Sequence, residues 1–248
     1  MPTPLLTEAQ LNLLRQADSP TIANVIELFE VRSRIAGYMN LTVKAIYPEL
    51  PPAVGYAVTA TFRAAYPAEE GDSYGGLPQL IEDSLHIPEP RIVVFQDLDE
   101  PPQAATYGEV MATTFQSFGF SGLITSGAAR DIEQVRRMRF PCWASSVNVS
   151  HGYCHFLSSN ITVTLGGLLV KPGDLLHADA NGVVNIPHAI AAGVAELCIP
   201  FMNAEQIVMD YLRSGKPTAR RFRESINEMS RRFSELRERA RELRKTRP

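Results

Sequence analysis

The chain has 248 residues, of which 45% are hydrophobic and 21% charged, which is ordinary for a globular protein and sufficient for a buried core. The net charge is −3, and most of the basic excess lies after Lys216, so an acidic body remains that we do not expect to bind nucleic acid. Three cysteines without a CxxC pair, no apolar run of about 18 residues and no secretory leader predict a cytoplasmic protein without a membrane segment.

The first third of the sequence predicts two helices followed by strands. Residues 7–18 form an amphipathic pattern, and Thr7 with Gln10 fits a capping box. A second short helix is expected after Ser19-Pro20, because proline is favoured in the first helical turn. The further predicted elements are strands at 41–46 and 57–62, where apolar and polar residues alternate, and a helix at 77–85.

The middle of the chain alternates between strand and helix patterns. The predicted elements are a strand at 91–95, a helix at 107–118, a strand at 122–125, a tight turn at 126–129 and a helix at 131–138. Such alternation predicts right-handed crossovers between parallel strands. We therefore expect an α/β fold.

The last part predicts several strands and then two helices. The elements are strands at 142–147, 162–170, 175–178 and 183–186, and helices at 203–214 and 217–247. In the last helix, apolar residues repeat with alternating spacings of four and three, which is a heptad seam. This seam can pack on the chain's own body or on another subunit, and we favour the second interpretation because the stripe is narrow.

Arg130 and Asp131 are the first candidates for chemistry. They follow the apolar strand at 122–125 and a turn of small residues, which places them at the carboxyl edge of the sheet, where α/β proteins bind ligands. Arginine can bind a carboxylate with two hydrogen bonds, and aspartate is a suitable ligand for Mg²⁺ or Mn²⁺. The alternative is a surface ion pair in which Asp131 caps the next helix.

Glu109 opens the helix of the preceding βα unit. A carboxylate is stabilised there by the helix dipole alone. The amides of Met111 and Ala112 could instead bind a ligand carboxylate at the same helix end. Because the two segments end successive βα units, we expect them to face one cleft.

A third segment resembles a known family. The stretch from Gly166 to Pro187, GGLLVKPGDLLHADANGVVNIP, is similar to the GG-x4-PGD-x4-D-x2-G-VV-x2-P pattern of the RraA-like family, and Gly108-Glu109 and the Arg130-Asp131 turn fall at matching places. The resemblance covers residues 19–200. It implies a swivelling β/β/α sandwich at 1–200 with a helical extension at 201–248. It also implies assembly into homotrimers or homohexamers with active sites between subunits.

The family includes the 4-hydroxy-4-methyl-2-oxoglutarate aldolases, and the resemblance implies roles for individual residues. Arg130 would bind the carboxylate and keto oxygen of a 2-oxo acid, Asp131 would hold the metal, and Glu109 would orient a water. Gly108 and the amides of Met111 and Ala112 would bind the substrate carboxylate. Two further substrate contacts are implied, Asp72 in a loop and Glu205 from the helix of a neighbouring subunit.

The implied function is a metal-dependent pyruvate aldolase. It would cleave a 4-hydroxy-2-oxo acid to pyruvate with Mg²⁺ or Mn²⁺ and would decarboxylate oxaloacetate as a side activity. Many aldolase members have acidic residues where this chain has Ser126 and Gln134, so a lyase of the same fold acting on another substrate stays open. Glu133 is the candidate replacement for the second acidic residue. The other alternative is a regulatory protein that binds a protein partner, although Asp131 favours the enzyme.

Two other sets of residues are candidates for chemistry. A Schiff-base aldolase would need a buried lysine, and Lys44, in a predicted strand, is the candidate. His151, Cys154 and His155 lie within five residues, which suggests a zinc site, a substrate contact or an ordinary loop.

Overall fold

The computed structural model describes residues 5–68 and 75–245. They form two compact units, one built from residues 35–185 and the other from residues 6–34 and 186–245. The first contains the strands and three short helices, and the second is helical. No helix in the described ranges has both the length and the apolar character required to cross a membrane.

The α/β unit contains the strands and helices that hold the candidate site. Its strands are β1 (Lys44–Ala45), β2 (Ala53–Arg63), β3 (Arg91–Asp97), β4 (Ala105–Tyr107), β5 (Phe120–Thr125), β6 (Ala128–Ala129), β7 (Cys142–Ala144), β8 (Ser146–Val147), β9 (His155–Ser159), β10 (Val163–Leu165), β11 (Leu168–Val170), β12 (Leu175–Asp179) and β13 (Gly182–Ile186). The helices within the described ranges are α1 (Glu8–Arg15), α2 (Ser19–Leu28), α3 (Leu77–Ser84), α4 (Glu109–Ser117), α5 (Ile132–Met138), α6 (Ala191–Arg213) and α7 (Ala219–Lys245), and a 3₁₀ turn spans His188–Ile190.

The main sheet has the strand order β1-β7-β5-β3-β2-β12-β13, and β9 also pairs with β2. The four strands β2, β3, β5 and β7 are parallel to their neighbours in that series. Helix α4 leads from β4 to β5, and α5 leads from β6 to β7. The predicted parallel α/β crossovers are therefore confirmed. A second, smaller sheet has the order β4-β6-β8, and its strands are also parallel.

The core lies around the central strands of the main sheet. Every residue of β2 except Arg63 is buried, and β3 is buried along almost its whole length, as expected for a strand covered on both faces. One face is covered by the hairpin β10–β11, whose apolar side chains join the same hydrophobic cluster as Ile92 and Val94 of β3.

Some strand predictions were wrong in length or number. The strand predicted at 41–46 is reduced to β1, and that predicted at 162–170 is a hairpin. Gly166 and Gly167 turn it, both with positive φ, a conformation that glycine adopts without steric cost. The turn predicted at 126–129 contains β6, and neither β4 nor β9 was predicted, because such short strands exist only through their pairing partners.

In the helical unit, α1 begins with the predicted capping box. The Thr7 side chain accepts the Gln10 amide, and the Gln10 side chain accepts the Thr7 amide. Helix α6 begins at Ala191, twelve residues before the prediction, and contains Pro200. The buried apolar positions of its first half supply packing that outweighs the cost of the proline. The predicted boundary between a domain at 1–200 and an extension at 201–248 falls inside α6. Where the family domain ends stays a prediction.

Helix α7 packs against α6 of the same chain. The ring of Phe233 stacks on that of Phe201, with centroids 4.5 Å apart, and Ala240 is fully buried. The heptad seam therefore has a partner within its own helical unit. Its predicted role between subunits stays a prediction.

Candidate active site

The two predicted segments meet because their strands are neighbours. Arg130 and Asp131 follow β6, and Gly108 and Glu109 follow β4. Strands β4 and β6 pair in parallel, with Tyr107 opposite Ala129, and the Arg130 amide donates to the Tyr107 carbonyl at 3.0 Å. The two segments therefore leave the small sheet side by side at the same edge.

Asp131 has an unusual backbone and an unusual partner. Its φ of 53° and ψ of 44° lie in the left-handed region, which costs a non-glycine residue energy and is typical of functional positions. It occupies the cap position of α5, yet its side chain caps no amide of that helix. Instead its Oδ2 accepts the amide of Glu109 at 2.9 Å. The alternative of a simple α5 cap is thereby excluded.

Arg130 lies beside this carboxylate, with its Nε 3.7 Å from Asp131 Oδ2. The two side chains are 26% and 33% exposed, so both are accessible to a ligand without being fully hydrated. The pair thus combines a guanidinium and a carboxylate at the positive end of the α4 dipole, where an anion is stabilised.

Gly108 is required by this arrangement. A Cβ at this position would lie 2.2 Å from Asp131 Oδ2 and 2.9 Å from Arg130 Nε. The backbone of Gly108 is extended, with φ −146°, so the constraint is the close approach and not the conformation of the residue. Only glycine lets the two charged side chains lie against the start of α4.

The amides at the start of α4 correct one prediction. The amide of Ala112 donates to the Gly108 carbonyl at 3.0 Å, which excludes it from binding a substrate carboxylate. The first turn of a helix leaves its leading amides without partners, and the Glu109 amide is taken by Asp131. The role of the Met111 amide stays a prediction, and the amide of Val110, which the sequence did not suggest, is the other one in this turn without an intrahelical partner. Identifying it requires the first residue of α4, which is uncertain by one or two residues from sequence.

A small cavity adjoins this cluster. Its volume is about 10 Å³, and the residues that line it are Ala105, Thr106, Tyr107, Gly108, Met111, Arg130, His151 and Cys154. The structure therefore brings together the predicted site residues Gly108, Met111 and Arg130 and, from the His151–His155 segment, His151 and Cys154. The side chain of Glu109 does not line this cavity, and it is exposed.

Ser126 belongs to a different, larger cavity of about 570 Å³. Its hydroxyl accepts the Asp97 amide at 2.8 Å, and Asp97 is 8% exposed. Burial raises the pKa of the Asp97 carboxyl to about 6. Glu133 forms an exposed ion pair with Arg136 on its own helix, and its substitution for an acidic residue at Gln134 stays a prediction.

Comparison with known proteins shows the family of the chain. The sequence model of the RraA-like family, described as Aldolase/RraA, matches residues 22–185, more than half of the chain. The chain belongs to the RraA-like family. It is 27% identical over 118 residues to a protein of Halalkalibacterium halodurans named "Putative 4-hydroxy-4-methyl-2-oxoglutarate aldolase", which covers 47% of this chain and 54% of that protein. It is 24% identical over 131 residues to protein DlpA of Legionella pneumophila, covering 52% of this chain and 21% of that one. The chain thus spans a fifth to about half of the length of these two relatives.

Solved structures show the same fold. An uncharacterized protein of Pseudomonas syringae superposes with a TM-score of 0.71 at 19% identity, covering 91% of this chain and 97% of that one. RraAS2 of Streptomyces coelicolor, described as an unusual member of the RNase ES inhibitor RraA protein family, gives 0.65 at 21% identity over 83% and 98%. The predicted RraA-like α/β fold with a long C-terminal helix is confirmed.

The RraA-like family implies a divalent metal, and the residues fit one kind of ion. No group of three or more His, Cys, Asp or Glu side chains that could bind a metal occurs within residues 5–68 and 75–245, so a closed zinc-type site does not fit. The other carboxylate oxygen of Asp131, Oδ1, has no hydrogen-bond partner among the described residues. One or two carboxylates with several retained waters suit Mg²⁺ or Mn²⁺.

The remaining predicted residues have separate outcomes. Asp72 lies outside the described residues. Glu205 lies on α6 in the helical unit, where burial and Asp18 raise the pKa of its carboxyl; its role in a neighbouring subunit stays a prediction. Lys44 is exposed on β1, which removes the buried setting that a Schiff-base lysine needs. The zinc interpretation of the His151–His155 segment is not supported, because within residues 5–68 and 75–245 no third His, Cys, Asp or Glu side chain completes a metal-binding group there.

Proposed function

We propose that this RraA-like protein is a divalent-metal-dependent aldolase that cleaves a 4-hydroxy-2-oxo acid to pyruvate, with oxaloacetate decarboxylation as a side activity. The observation that carries the proposal is the Asp131 carboxylate. It is held on the α4 amide of Glu109, beside the Arg130 guanidinium, by a backbone in the left-handed region. A purely structural ion pair does not require that backbone.

The substrate's 2-oxo acid end would bind first. Arg130 offers N–H donors in a planar fork that matches a carboxylate and the adjacent keto oxygen. The amides of Val110 and Met111 face the same end of α4 and favour negative charge there. This binding mode would place the C2 carbonyl of the substrate against Arg130.

Asp131 would hold the Mg²⁺ or Mn²⁺ ion, which when bound supplies Lewis-acid polarisation of the keto oxygen. Glu109, an exposed carboxylate one residue after Gly108, would orient the water that takes the proton of the C4 hydroxyl. As that proton leaves, the C3–C4 bond breaks and its electron pair moves towards the C2 oxygen. Arg130 stabilises the negative charge that develops there, which is the electrostatic role that accelerates such reactions most.

The test is pyruvate release coupled to lactate dehydrogenase, with 4-hydroxy-4-methyl-2-oxoglutarate or oxaloacetate as substrate and Mg²⁺ or Mn²⁺ present. The variants Arg130→Ala and Asp131→Ala each remove a charge-assisted interaction of about 1.5–3 kcal/mol, so kcat/KM should fall by at least about 10- to 150-fold. Ser117→Ala, at an exposed position at the end of α4, is the matched control and should behave as wild type.

Removal of the metal provides a second readout. EDTA should abolish pyruvate release, and excess Mn²⁺ should restore it. Wild-type activity in either site variant, or undiminished activity in EDTA, would refute the proposal. A folded protein that turns over none of these acids would instead favour a regulatory protein or a lyase with another substrate.

We further propose a homotrimer or homohexamer in which Glu205 of one subunit completes the site of the next. Light scattering gives the number of subunits. Mixing Glu205→Gln with Arg130→Ala chains should restore activity in part, because some sites would then combine two intact residues. No restoration after verified subunit exchange would contradict this role.

A further inference from the structure

The loop that carries His151 is held rigidly against the small sheet. The Ala105 amide donates to the Ser150 carbonyl at 2.8 Å, and the Tyr153 amide donates to the Ala64 carbonyl at 2.9 Å. Gly152 has a φ of +52°, and a Cβ there would lie 2.6 Å from the Ala64 carbonyl oxygen. The position of the preceding residue, His151, is therefore fixed by the backbone on both sides.

His151 lines the small cavity next to Arg130. Its Nδ1 is buried and has no hydrogen-bond partner among the described residues. A buried polar atom without a partner is costly, and in native proteins it usually indicates a missing ligand or water. The second histidine of the segment differs, because the Nδ1 of His155 has a backbone partner.

The cavity has room for one oxygen-sized group. Its volume of about 10 Å³ is close to the lower limit of roughly 10–15 Å³ for a single water and is far too small for a keto acid. Arg130 can only donate hydrogen bonds, whereas a neutral imidazole nitrogen can accept one. A water molecule satisfies both, since its oxygen accepts from Arg130 while one of its O–H groups donates to Nδ1.

We propose that His151 and Arg130 hold one water molecule that protonates the pyruvate enolate after the carbon–carbon bond has broken. This inference rests on the proposed function. In the step, a bond forms between C3 of the enolate and a water proton as that O–H bond breaks. The electron pair stays on the oxygen as hydroxide beside the Arg130 guanidinium, and the hydroxide regains a proton from solvent. His151 acts through the water and is thus a positioning residue.

The experiment follows deuterium exchange into the methyl group of pyruvate in D₂O by proton NMR, using the full chain with Mg²⁺ or Mn²⁺. Exchange requires enolate formation and reprotonation but no aldol cleavage. His151→Asn places an amide oxygen near the position of Nδ1, and His151→Gln places it near that of Nε2. We expect His151→Asn to retain exchange within about threefold of wild type, and His151→Gln and His151→Phe to lose at least tenfold, with the KM for pyruvate within twofold.

His155→Gln is the matched control and should exchange as wild type. Exchange at the wild-type rate in both His151→Phe and His151→Gln overturns the inference while leaving the aldolase intact. Equal losses in the Asn and Gln variants also overturn it, because the position of the acceptor would then not matter. If wild type itself shows neither exchange nor pyruvate release, the proposed function fails and this inference fails with it.

Discussion

Replacing Gly108 by alanine separates the geometry of the site from the stability of the fold. The added methyl would lie 2.2 Å from Asp131 Oδ2, 2.9 Å from Arg130 Nε and 3.0 Å from Arg130 Cγ. These are atoms of two partly exposed side chains that can move away. Because the backbone is extended, alanine adopts its conformation without strain. The fold should therefore persist while both charged groups are displaced.

The magnitude follows from the contact that is lost. The bond from the Glu109 amide to Asp131 Oδ2 is 2.9 Å long and exposed, so its partners are rehydrated when they separate, whereas a displaced Asp131 loses a charge-assisted interaction with the bound ligand of about 1.5–3 kcal/mol. If the geometry serves catalysis, kcat/KM for pyruvate release should fall by about 10- to 150-fold, and displacement of Arg130 adds to this loss. The melting temperature should change by less than about 4 °C, which corresponds to roughly 1 kcal/mol or less.

The assay compares pyruvate release and thermal unfolding for Gly108→Ala, Ser117→Ala and wild type. A variant that keeps its melting temperature and loses activity supports the reasoning. Full activity of Gly108→Ala would refute the reasoning, because it would show that catalysis does not depend on the observed positions of the carboxylate and the guanidinium. A large fall in melting temperature would show that Gly108 serves the packing of α4 instead.

Three predictions concern stability and pH. Burial raises the pKa of Asp97 from 3.8 to about 6, so the stabilisation that this group gives is complete below pH 4 and is lost as the pH rises through 6. Between pH 4 and pH 7, the free energy of unfolding of wild type should therefore fall by up to about 3 kcal/mol. Asp97→Asn should not show this fall when both proteins are unfolded with urea at a series of pH values. Gly193→Ala would bring a Cβ within 2.8 Å of the buried Phe29 ring and should destabilise the protein by about 1–3 kcal/mol, whereas an unchanged melting temperature would show that the ring can move. Thr7→Ala removes the capping box of α1 and should cost about 1 kcal/mol; Thr7→Ser, which keeps the hydroxyl, should behave as wild type in the same denaturation assay.

The candidate site shows how far local sequence can lead. Arg130 and Asp131 were identified because charged residues followed a strand and a turn of small residues, and Glu109 because it lies in the first turn of a predicted helix. Val110, and the loss of Ala112 from the site, depended on which residue begins α4, and boundaries of this kind are uncertain by one or two residues from sequence. His151 lies about twenty residues further along the chain, and no local pattern could connect it with Arg130.

Local sequence by itself determined the elements whose residues interact with near neighbours. The capping box of α1, the alternation of strands and helices from residue 91 to 138, and the long helix α7 depend on spacings of a few residues. The tertiary structure alone decided which strands pair and therefore which side chains meet. The short strand β4 is stable only as the partner of β6, which also pairs with β8, and the pairing of β4 with β6 places Gly108 against Asp131. A contact between residues more than twenty positions apart is set by the free energy of packing the whole unit, which no local pattern contains.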